Sequence, residues 1–203
     1  DAVAAIQSEQ ALRGAQAYVG AVLGTLGPGK LPVANDLPET EFAVGEATFR
    51  MMRAPALSSA AAPEYGVEAE SGRFNLNDVP LETLQKLTCL TQEQAAAIVD
   101  WRDGDETPGS GGAESETYMR LDPARLCKNA AFESTGELAM VYGMTADALY
   151  GRDRNLNGIL DASEKDSAAP TSFGLFRLTT AFSTPSGVAP DGSAQVSVNS
   201  AEL

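Results

Sequence analysis

Histidine is absent from this chain of 203 residues. Its absence removes the usual general base of enzymes, the Ser-His and Cys-His nucleophile pairs, and the imidazole ligands of zinc and copper sites. An enzyme that works with carboxylates alone is still compatible with the composition. The missing histidine therefore weakens enzymatic interpretations without excluding them.

Basic residues are scarce as well: 14 lysines and arginines stand against 28 aspartates and glutamates, a formal net charge of −14. Nucleic-acid phosphates and anionic lipid headgroups are both bound by basic patches, so the composition disfavours both as partners. It suits divalent cations or a protein partner with basic patches. Plain solubility explains the acidity at least as well.

Only two cysteines occur, Cys89 and Cys127, too far apart in sequence for a CxxC redox or zinc motif. A disulfide between them would fit an extracytoplasmic compartment, and two buried free thiols are the alternative. We favour the disulfide, because the features described below point outside the cytoplasm.

The sequence also lacks an apolar run of the roughly 20 residues that a membrane-spanning helix needs. No basic segment followed by an apolar one marks a signal peptide. The chain opens on Asp1 and leads directly into a helical pattern. We therefore expect that an N-terminal segment has been removed from the native protein.

The first 70 residues predict one helix and two strands. Apolar residues over 2–26 recur with the three-four alternation of an amphipathic helix, which the Gly-Pro-Gly of 27–29 ends. Residues 41–52 are rich in aromatic and β-branched side chains, and apolar residues alternate over 65–70. These two strands are predicted to pair as a hairpin.

Short helices are predicted between residues 74 and 151, because N-capping signals recur there. The capping residues are Asp78, Thr91, Ser134 and Thr145. Strand patterns return at 173–182 and 195–198. This order predicts an α+β fold, a sheet domain with an all-helical domain inserted between its strands. We place the parts at 1–73, 74–170 and 171–203.

A short internal repeat is visible near the end. Residues 74–81, Phe-Asn-Leu-Asn-Asp-Val-Pro-Leu, resemble residues 196–203, Val-Ser-Val-Asn-Ser-Ala-Glu-Leu. Chance can produce such a likeness over so few residues. If the repeat is real, we expect a second helical unit to begin where this sequence stops.

The strongest chemical signal is the segment Asp153-Arg-Asn-Leu-Asn-Gly-Ile-Leu-Asp-Ala-Ser-Glu164, which matches the EF-hand calcium loop. Calcium takes six to eight oxygens at about 2.3–2.6 Å, and this spacing wraps them around one point. Gly158 stands where the loop must turn sharply. The predicted ligands are Asp153, Asn155, Asn157, the backbone carbonyl of Ile159, Asp161 and Glu164.

This loop is expected to stand alone, since no amphipathic helix follows Glu164. Only three of the predicted ligands are carboxylates, so we expect an affinity of about 10⁻⁴ M or somewhat tighter. A structural staple fits these features better than a calcium sensor. The alternative is an Asn/Gly-rich surface turn that merely resembles the motif.

A second acidic group surrounds the end of the helix predicted over 92–102. It comprises Asp100, Asp103, Asp105, Glu106, Glu114 and Glu116. Carboxylates at a helix C-terminus oppose the macrodipole, so a second calcium ion, or an ion pair with Arg102 or Arg120, should offset the cost. The glycine-rich run 109–112 would let Glu114 fold back onto the aspartates. A glycosidase acid–base pair is disfavoured, because no aromatic sugar platform accompanies the single tryptophan, Trp101.

Three segments together resemble the minor pseudopilin K family of type II secretion systems (the GspK family). They are residues 65–77, residues 98–105 followed by 112–118, and residues 137–143. The second is the most specific, since it pairs Asp-Trp-Arg-Asp-Gly-Asp with Gly-Ala-Glu-Ser-Glu-Thr-Tyr. The likeness covers roughly residues 1–199.

The resemblance implies a pilin-like fold, a long N-terminal helix packed on an antiparallel sheet with an inserted helical domain, and no catalysis. It implies a prepilin leader and a membrane-spanning helix before Asp1, and hence a periplasmic domain anchored in the bacterial inner membrane. The implied partners are the minor pseudopilins I and J and the pseudopilus, with exported proteins as further candidates.

Family members bind calcium in the helical domain. Carried over to the matching positions, the candidate ligands of a second calcium site are Asp100, Asp103, Asp105 and Glu114. The EF-hand-like loop is not a general feature of the family, so its ligands rest on the motif alone. The family's second helical segment would follow the repeat at 196–203.

Two other classes of function share single features with this sequence. A dockerin-like calcium-dependent adhesion module needs two such loops in tandem, and this sequence has one. A helix-hairpin-helix nucleic-acid binder is suggested by residues 78–104. Its hairpin would need glycine-rich phosphate contacts and basic residues, and the sequence Leu-Thr-Cys-Leu-Thr-Gln at 87–92 lacks both.

Overall fold

The computed structural model describes residues 2–26, 30, 32, 41–53, 64–65, 67–68, 70–156, 160–165, 169, 171 and 173–183. Contacts divide them into two compact units: the described residues up to Gly72, and those of Arg73–Leu156 and Leu160–Thr184. The strand predicted at 195–198 and the repeat at 196–203 lie outside the described residues. Every helix within the described ranges is too short or too polar to cross a membrane.

The first unit consists of a long helix and short antiparallel strand pairs. Helix α1 spans Ala2–Thr25, and β1 (Glu41–Val44) pairs antiparallel with β2 (Ala47–Arg50). Strands β3 (Met52–Arg53) and β4 (Glu64–Tyr65) form a second pair, and a single 3-10 turn covers Glu70–Gly72. A long N-terminal helix with a small antiparallel sheet is the α+β arrangement that the sequence predicted.

Aromatic side chains join α1 to the hairpin. The Tyr18 ring lies 4.6 Å from that of Phe42, which stacks on its cross-strand partner Phe49 at 4.9 Å. Gly45 begins the two-residue turn with φ of 64°, a conformation that glycine adopts without steric cost. Cross-strand aromatic pairs of this kind stabilise a two-stranded sheet that would be marginal alone.

The second unit is mainly helical. Its helices are α2 (Leu81–Leu84), α3 (Gln92–Arg102), α4 (Ser115–Tyr118), α5 (Ala146–Tyr150), α6 (Ala162–Lys165) and α7 (Leu175–Leu178), with a 3-10 helix over Thr135–Met140. Its core contains fully buried apolar side chains from most of these elements: Leu76, Leu84, Ile98, Tyr118, Leu138 and Leu175. Burial of each such side chain contributes about 1.5–3 kcal/mol to stability.

Capping explains where several of these helices begin. Thr91 and Gln94 form the predicted capping box of α3, and Thr145 accepts a hydrogen bond from the Ala148 N–H at the start of α5. The Ser134 capping box is also present, although it opens a 3-10 helix. Asp78 was wrongly predicted as a cap: Pro80 is the N-cap residue of α2, and the Asp78 carboxylate accepts a hydrogen bond from Asn75 Nδ2 at 2.9 Å.

Residues 173–182, predicted as a strand of the first unit, belong to the second unit. They form α7 followed by the two-residue strand β6 (Thr179–Thr180). Gly174 approaches Leu149 so closely that a Cβ there would lie 2.4 Å from the Leu149 carbonyl oxygen. This approach brings Phe176 edge-on against Tyr150, with ring centroids 5.0 Å apart. A short apolar run cannot be assigned to strand or helix by periodicity alone, which accounts for the wrong prediction.

The two ends of the second unit meet in a parallel strand pair. Strand β5 (Phe74–Asn75) pairs with β6. Asn77 reinforces this junction: its Nδ2 donates to the carbonyls of Phe132 (3.1 Å) and Ala181 (3.2 Å), and its Oδ1 accepts from the Phe132 N–H (2.7 Å). The unit is therefore not the all-helical domain that the sequence predicted, because it contains this strand pair.

Asn77→Ala should test this junction. The change removes three hydrogen bonds and leaves the Phe132 N–H without its acceptor, so we expect the free energy of unfolding to fall by about 2 kcal/mol. Urea denaturation followed by circular dichroism measures it, with the exposed Thr88→Ala in the same unit as control. Equal midpoints for the two variants would contradict the assigned role.

Candidate functional site

Three carboxylates converge in the second unit. Asp100 lies in the last turn of α3, Asp103 caps that helix, and Glu114 is the N-cap residue of α4. Carboxylate oxygens of all three lie within 4.8 Å of one another. Asp100 and Glu114 are each only 3% exposed, so this is a buried cluster of like charges.

The Asp100 carboxylate is held by the glycine-rich loop between α3 and α4. Its Oδ2 accepts a hydrogen bond from the Ala113 N–H at 2.7 Å, and the Gly109 N–H donates to both oxygens at 3.1 and 3.2 Å. The predicted fold-back of Glu114 onto the aspartates is thus present, because this loop returns the chain to the end of α3.

The other two carboxylates keep free acceptor capacity. Within the described part of the chain, both oxygens of Glu114 and Oδ1 of Asp103 are buried without a nitrogen or oxygen donor, and the weak donor beside Glu114 is the Cys127 thiol. A buried polar group that lacks a partner costs about 1–3 kcal/mol, and a charged one costs more. Buried oxygens without such a donor are therefore an observation that calls for a ligand.

The predicted ion pairs with basic residues do not neutralise the cluster. The Arg102 guanidinium donates to the backbone carbonyls of Leu76 and, at 2.7 Å, of Val79. Arg120 forms an ion pair with the exposed Glu116. Burial raises the pKa of Asp103 and the charge of Arg102 partly offsets this. No ion pair with Arg102 or Arg120 reaches Glu114 among the described residues, so a cation is the interaction that the geometry leaves open there.

Burial and mutual repulsion shift the acidity of all three groups. Burial, followed by the charges of Asp100 and Asp103, raises the pKa of Glu114 from 4.5 to about 7. Burial raises the pKa of Asp100, although the N–H groups of Gly109 and Ala113 counteract it. Burial and then the charge of Asp105 raise the pKa of Asp103.

Asp105, predicted as a fourth ligand, is not in the group of three. Its Oδ1 accepts a hydrogen bond from the Thr107 N–H at 2.7 Å. Asn129 lies beside it and was not predicted: its Nδ2 donates to the Asp105 carbonyl at 2.7 Å and to Glu106 Oε1 at 3.0 Å. Asn129 has a φ of 48°, a left-handed conformation that asparagine tolerates better than most residues. This tolerance is the one property by which the sequence could have indicated that Asn129 occupies the turn.

The predicted disulfide is wrong, since Cys89 and Cys127 are both buried free thiols. Cys127 packs beside the carboxylate cluster, where its Sγ lies 3.6 Å from the Asp100 carbonyl oxygen and 3.9 Å from that of Ala113. Burial raises its pKa to about 11, so the thiol stays protonated and unreactive at neutral pH. Each cysteine serves here as a small core residue.

The EF-hand-like loop is described in part, because Asn157 and Ile159 lie outside the described residues. Asp153 is 1% exposed and Glu164 is 7% exposed. Glu164 folds back over the loop, accepting from the N–H groups of Arg154 at 2.9 Å and Asp161 at 3.0 Å.

Its other predicted ligands are only partly brought together. Asn155 Nδ2 donates to Asp161 Oδ2 at 3.0 Å. Among the described residues, Asp153, Asp161 and Glu164 do not form a group of three within 4.8 Å. Arg152 closes the base of the loop by donating from its N–H to the Thr171 carbonyl and from Nε to that of Ala169, both at 3.0 Å.

The acidity of Glu114 predicts how the metal-free protein responds to pH. Folding raises this pKa from 4.5 to about 7, so the folded state binds more protons than the unfolded state in that interval. The stability contributed by protonated Glu114 is therefore lost as the pH rises through about 7. Glu114→Gln should unfold at a higher temperature than the wild type at about pH 8 in EDTA, with a flatter pH profile.

Thermal melts across this pH range measure the effect. Glu116→Gln makes the same chemical change on an exposed side chain two residues away and should follow the wild-type profile. A Glu114→Gln profile that is as steep as the wild type would contradict the assigned acidity.

Comparison with known proteins adds a family likeness. Residues 72–151 match the family model described as type II secretion system (T2SS), protein K. The chain is 42% identical over 78 residues to the type II secretion system protein K of Klebsiella pneumoniae, covering 38% of this chain and 21% of that protein. It is 30% identical over 121 residues to the protein of the same name from Pseudomonas aeruginosa, covering 51% and 36%.

A third relative, the type II secretion system protein K of Pectobacterium carotovorum, is 35% identical over 72 residues, which is 36% of this chain and 22% of the relative. The chain thus spans well under two thirds of the length of each of these curated relatives. The matched range contains Asp100, Asp103 and Glu114, and it ends before Asp153.

Proposed function

We propose that this chain is part of the protein K component of a type II secretion system, a minor pseudopilin that acts by assembly and not by catalysis. The observation that carries the proposal is that the family match at 72–151, apart from its first residue, lies in the second unit, which comprises Arg73–Leu156 and Leu160–Thr184. The match therefore covers a continuous part of one structural unit. In this role the domain lies in the periplasm and is anchored in the inner membrane through a helix that precedes Asp1.

The first unit supports a role in assembly. Its helix α1 packs on the hairpin through Tyr18, yet Val3, Ile6 and Leu12 are each 60–62% exposed. Exposed apolar side chains along one helix are suited to contacts with neighbouring helices. We propose that these residues face other pseudopilins, with the minor pseudopilins I and J as the direct partners at the pseudopilus tip and exported proteins as transient ones.

Calcium is the proposed ligand of the carboxylate cluster. Calcium prefers carboxylate oxygens and tolerates irregular geometry. The two oxygens of Glu114 and Oδ1 of Asp103 supply such ligands, in a site that lacks the imidazoles preferred by zinc and whose neighbouring Cys127 thiol is held in its protonated form. A bound cation would offset the repulsion that raises the pKa of Glu114, and it would link the end of α3 to the start of α4.

A second calcium ion is proposed for the EF-hand-like loop, with Asp153, Asn155, Asn157, Ile159, Asp161 and Glu164 as ligands. The burial of Asp153 and Glu164 supports this proposal, because these carboxylates stand at the first and twelfth positions of the motif, where the calcium ligands belong. Glu164 would exchange backbone N–H donors for the ion on loading. Both sites would then act as staples that stabilise the folded unit.

Calcium addition should raise the melting temperature. Binding to the folded state alone stabilises it by about 2.7 kcal/mol when free calcium is 100 times the dissociation constant, which shifts the melting temperature by several degrees. Asp103→Asn combined with Glu114→Gln should abolish the part of this shift that calcium binding to the cluster causes. Asp153→Asn combined with Glu164→Gln should abolish the part that calcium binding to the loop causes. Glu116→Gln serves as the control. An unchanged melt, with no calcium found by elemental analysis, would refute both sites.

Assembly is tested with purified minor pseudopilins I and J from the same source. The wild-type chain should co-elute with them in calcium buffer during size-exclusion chromatography. Ile6→Glu combined with Leu12→Glu places charge among the exposed apolar residues of α1 and should abolish co-elution. Thr25→Glu adds a charge at an exposed polar position near the other end of the same helix and should leave it intact. If the wild type itself gives no complex, the assembly role is refuted.

A further inference from the structure

Asp100 differs from the other two carboxylates of the cluster in what its oxygens already contact. Oδ2 accepts two backbone N–H groups, from Ala113 at 2.7 Å and from Gly109 at 3.2 Å, and Oδ1 accepts one at 3.1 Å. Each carboxylate oxygen has two lone pairs, so Oδ2 is fully used. Asp100 can offer a cation only Oδ1, whereas both oxygens of Glu114 lack a nitrogen or oxygen donor.

Gly112 lies directly against this carboxylate. A Cβ at position 112 would stand 1.9 Å from Asp100 Oδ2 and 2.8 Å from its Cγ. The backbone of Gly112 is not in the left-handed region, so the requirement for glycine arises from space and not from conformation. At Gly109 the corresponding contact with Oδ1 is milder, at 3.0 Å.

We propose that Gly112 is a positioning residue for the carboxylate cluster and acts through Asp100. The space that Gly112 leaves allows Asp100 to hold the Ala113 N–H, and Ala113 directly precedes Glu114. The position of Glu114 opposite Asp103 therefore depends on this clasp, defined as Asp100, Gly112 and the Ala113 N–H. The consequence for metal binding rests on the proposed calcium site.

The first test compares Gly112→Ala with Gly104→Ala. Gly104 follows α3 beside the same cluster, but a Cβ there meets nothing within 4 Å. Calcium affinity is measured by isothermal titration calorimetry on the full chain carrying Glu164→Gln, so that the cluster is observed without the loop. Gly112→Ala should weaken calcium binding about ten-fold or more, and Gly104→Ala should stay within about two-fold of the parent.

Amide hydrogen exchange in EDTA supplies a readout that does not depend on calcium. The Ala113 N–H should lose protection in Gly112→Ala and keep it in Gly104→Ala. Gly109→Ala, the milder substitution, should give an intermediate result and keeps the test decisive if Gly112→Ala fails to fold. Retained Ala113 protection in a folded Gly112→Ala variant would overturn the clasp.

A double-mutant cycle then tests whether Gly112 affects calcium binding through Asp100. Asp100→Ala removes both atoms that the new Cβ would approach within 3.0 Å, Oδ2 and Cγ, so adding Gly112→Ala to it should change the remaining calcium affinity by less than about two-fold. A full ten-fold loss in that background would overturn action through Asp100. Absence of calcium binding by the parent chain would instead refute the proposed calcium site, and the exchange measurement would still decide the clasp.

Discussion

Repulsion among three carboxylates that share a buried space is the constraint on which the second unit depends. Asp100 and Glu114 are almost inaccessible to water, and the nearby guanidinium of Arg102 is committed to backbone carbonyls. Such a cluster tolerates either protons or a bound cation, because separate negative charges cannot remain together in a medium of low dielectric constant. The fold therefore carries a local instability that a ligand can remove.

The loop that connects α3 to α4 supplies hydrogen-bond donors to only one carboxylate of the cluster. Its backbone N–H groups donate to Asp100, so the buried oxygens that lack such donors belong to Glu114 and Asp103. The buried thiol of Cys127 adds bulk beside them without adding charge. Asp100 thus has a structural role, whereas Glu114 and Asp103 would bind the proposed cation.

The sequence predicted the parts of this architecture that local chemistry determines. Helix α1 follows from apolar spacing, α3 from its capping box, and the carboxylate cluster from acidic residues on both sides of a glycine-rich run. Features that depend on tertiary contact were missed. The helix over 175–178 packs where Gly174 approaches Leu149, a contact that the pattern of apolar residues does not reveal. Asp105 was misassigned for a local reason, because it accepts a hydrogen bond from the Thr107 N–H. The disulfide prediction was not confirmed for a related reason: the cellular compartment and the sequence spacing of two cysteines do not determine where each thiol packs.

The parallel pairing of Phe74–Asn75 with Thr179–Thr180 affects how freely the length of the segment between them can change. The two ends of the second unit lie side by side, so the roughly hundred residues between them begin and end at the same place. A change in the length of this segment would alter the distance between its ends very little, and loop-closure entropy grows only slowly with length. The acidic loop that follows the family-matched range lies between these paired ends, so a change in its length would leave the two ends in place.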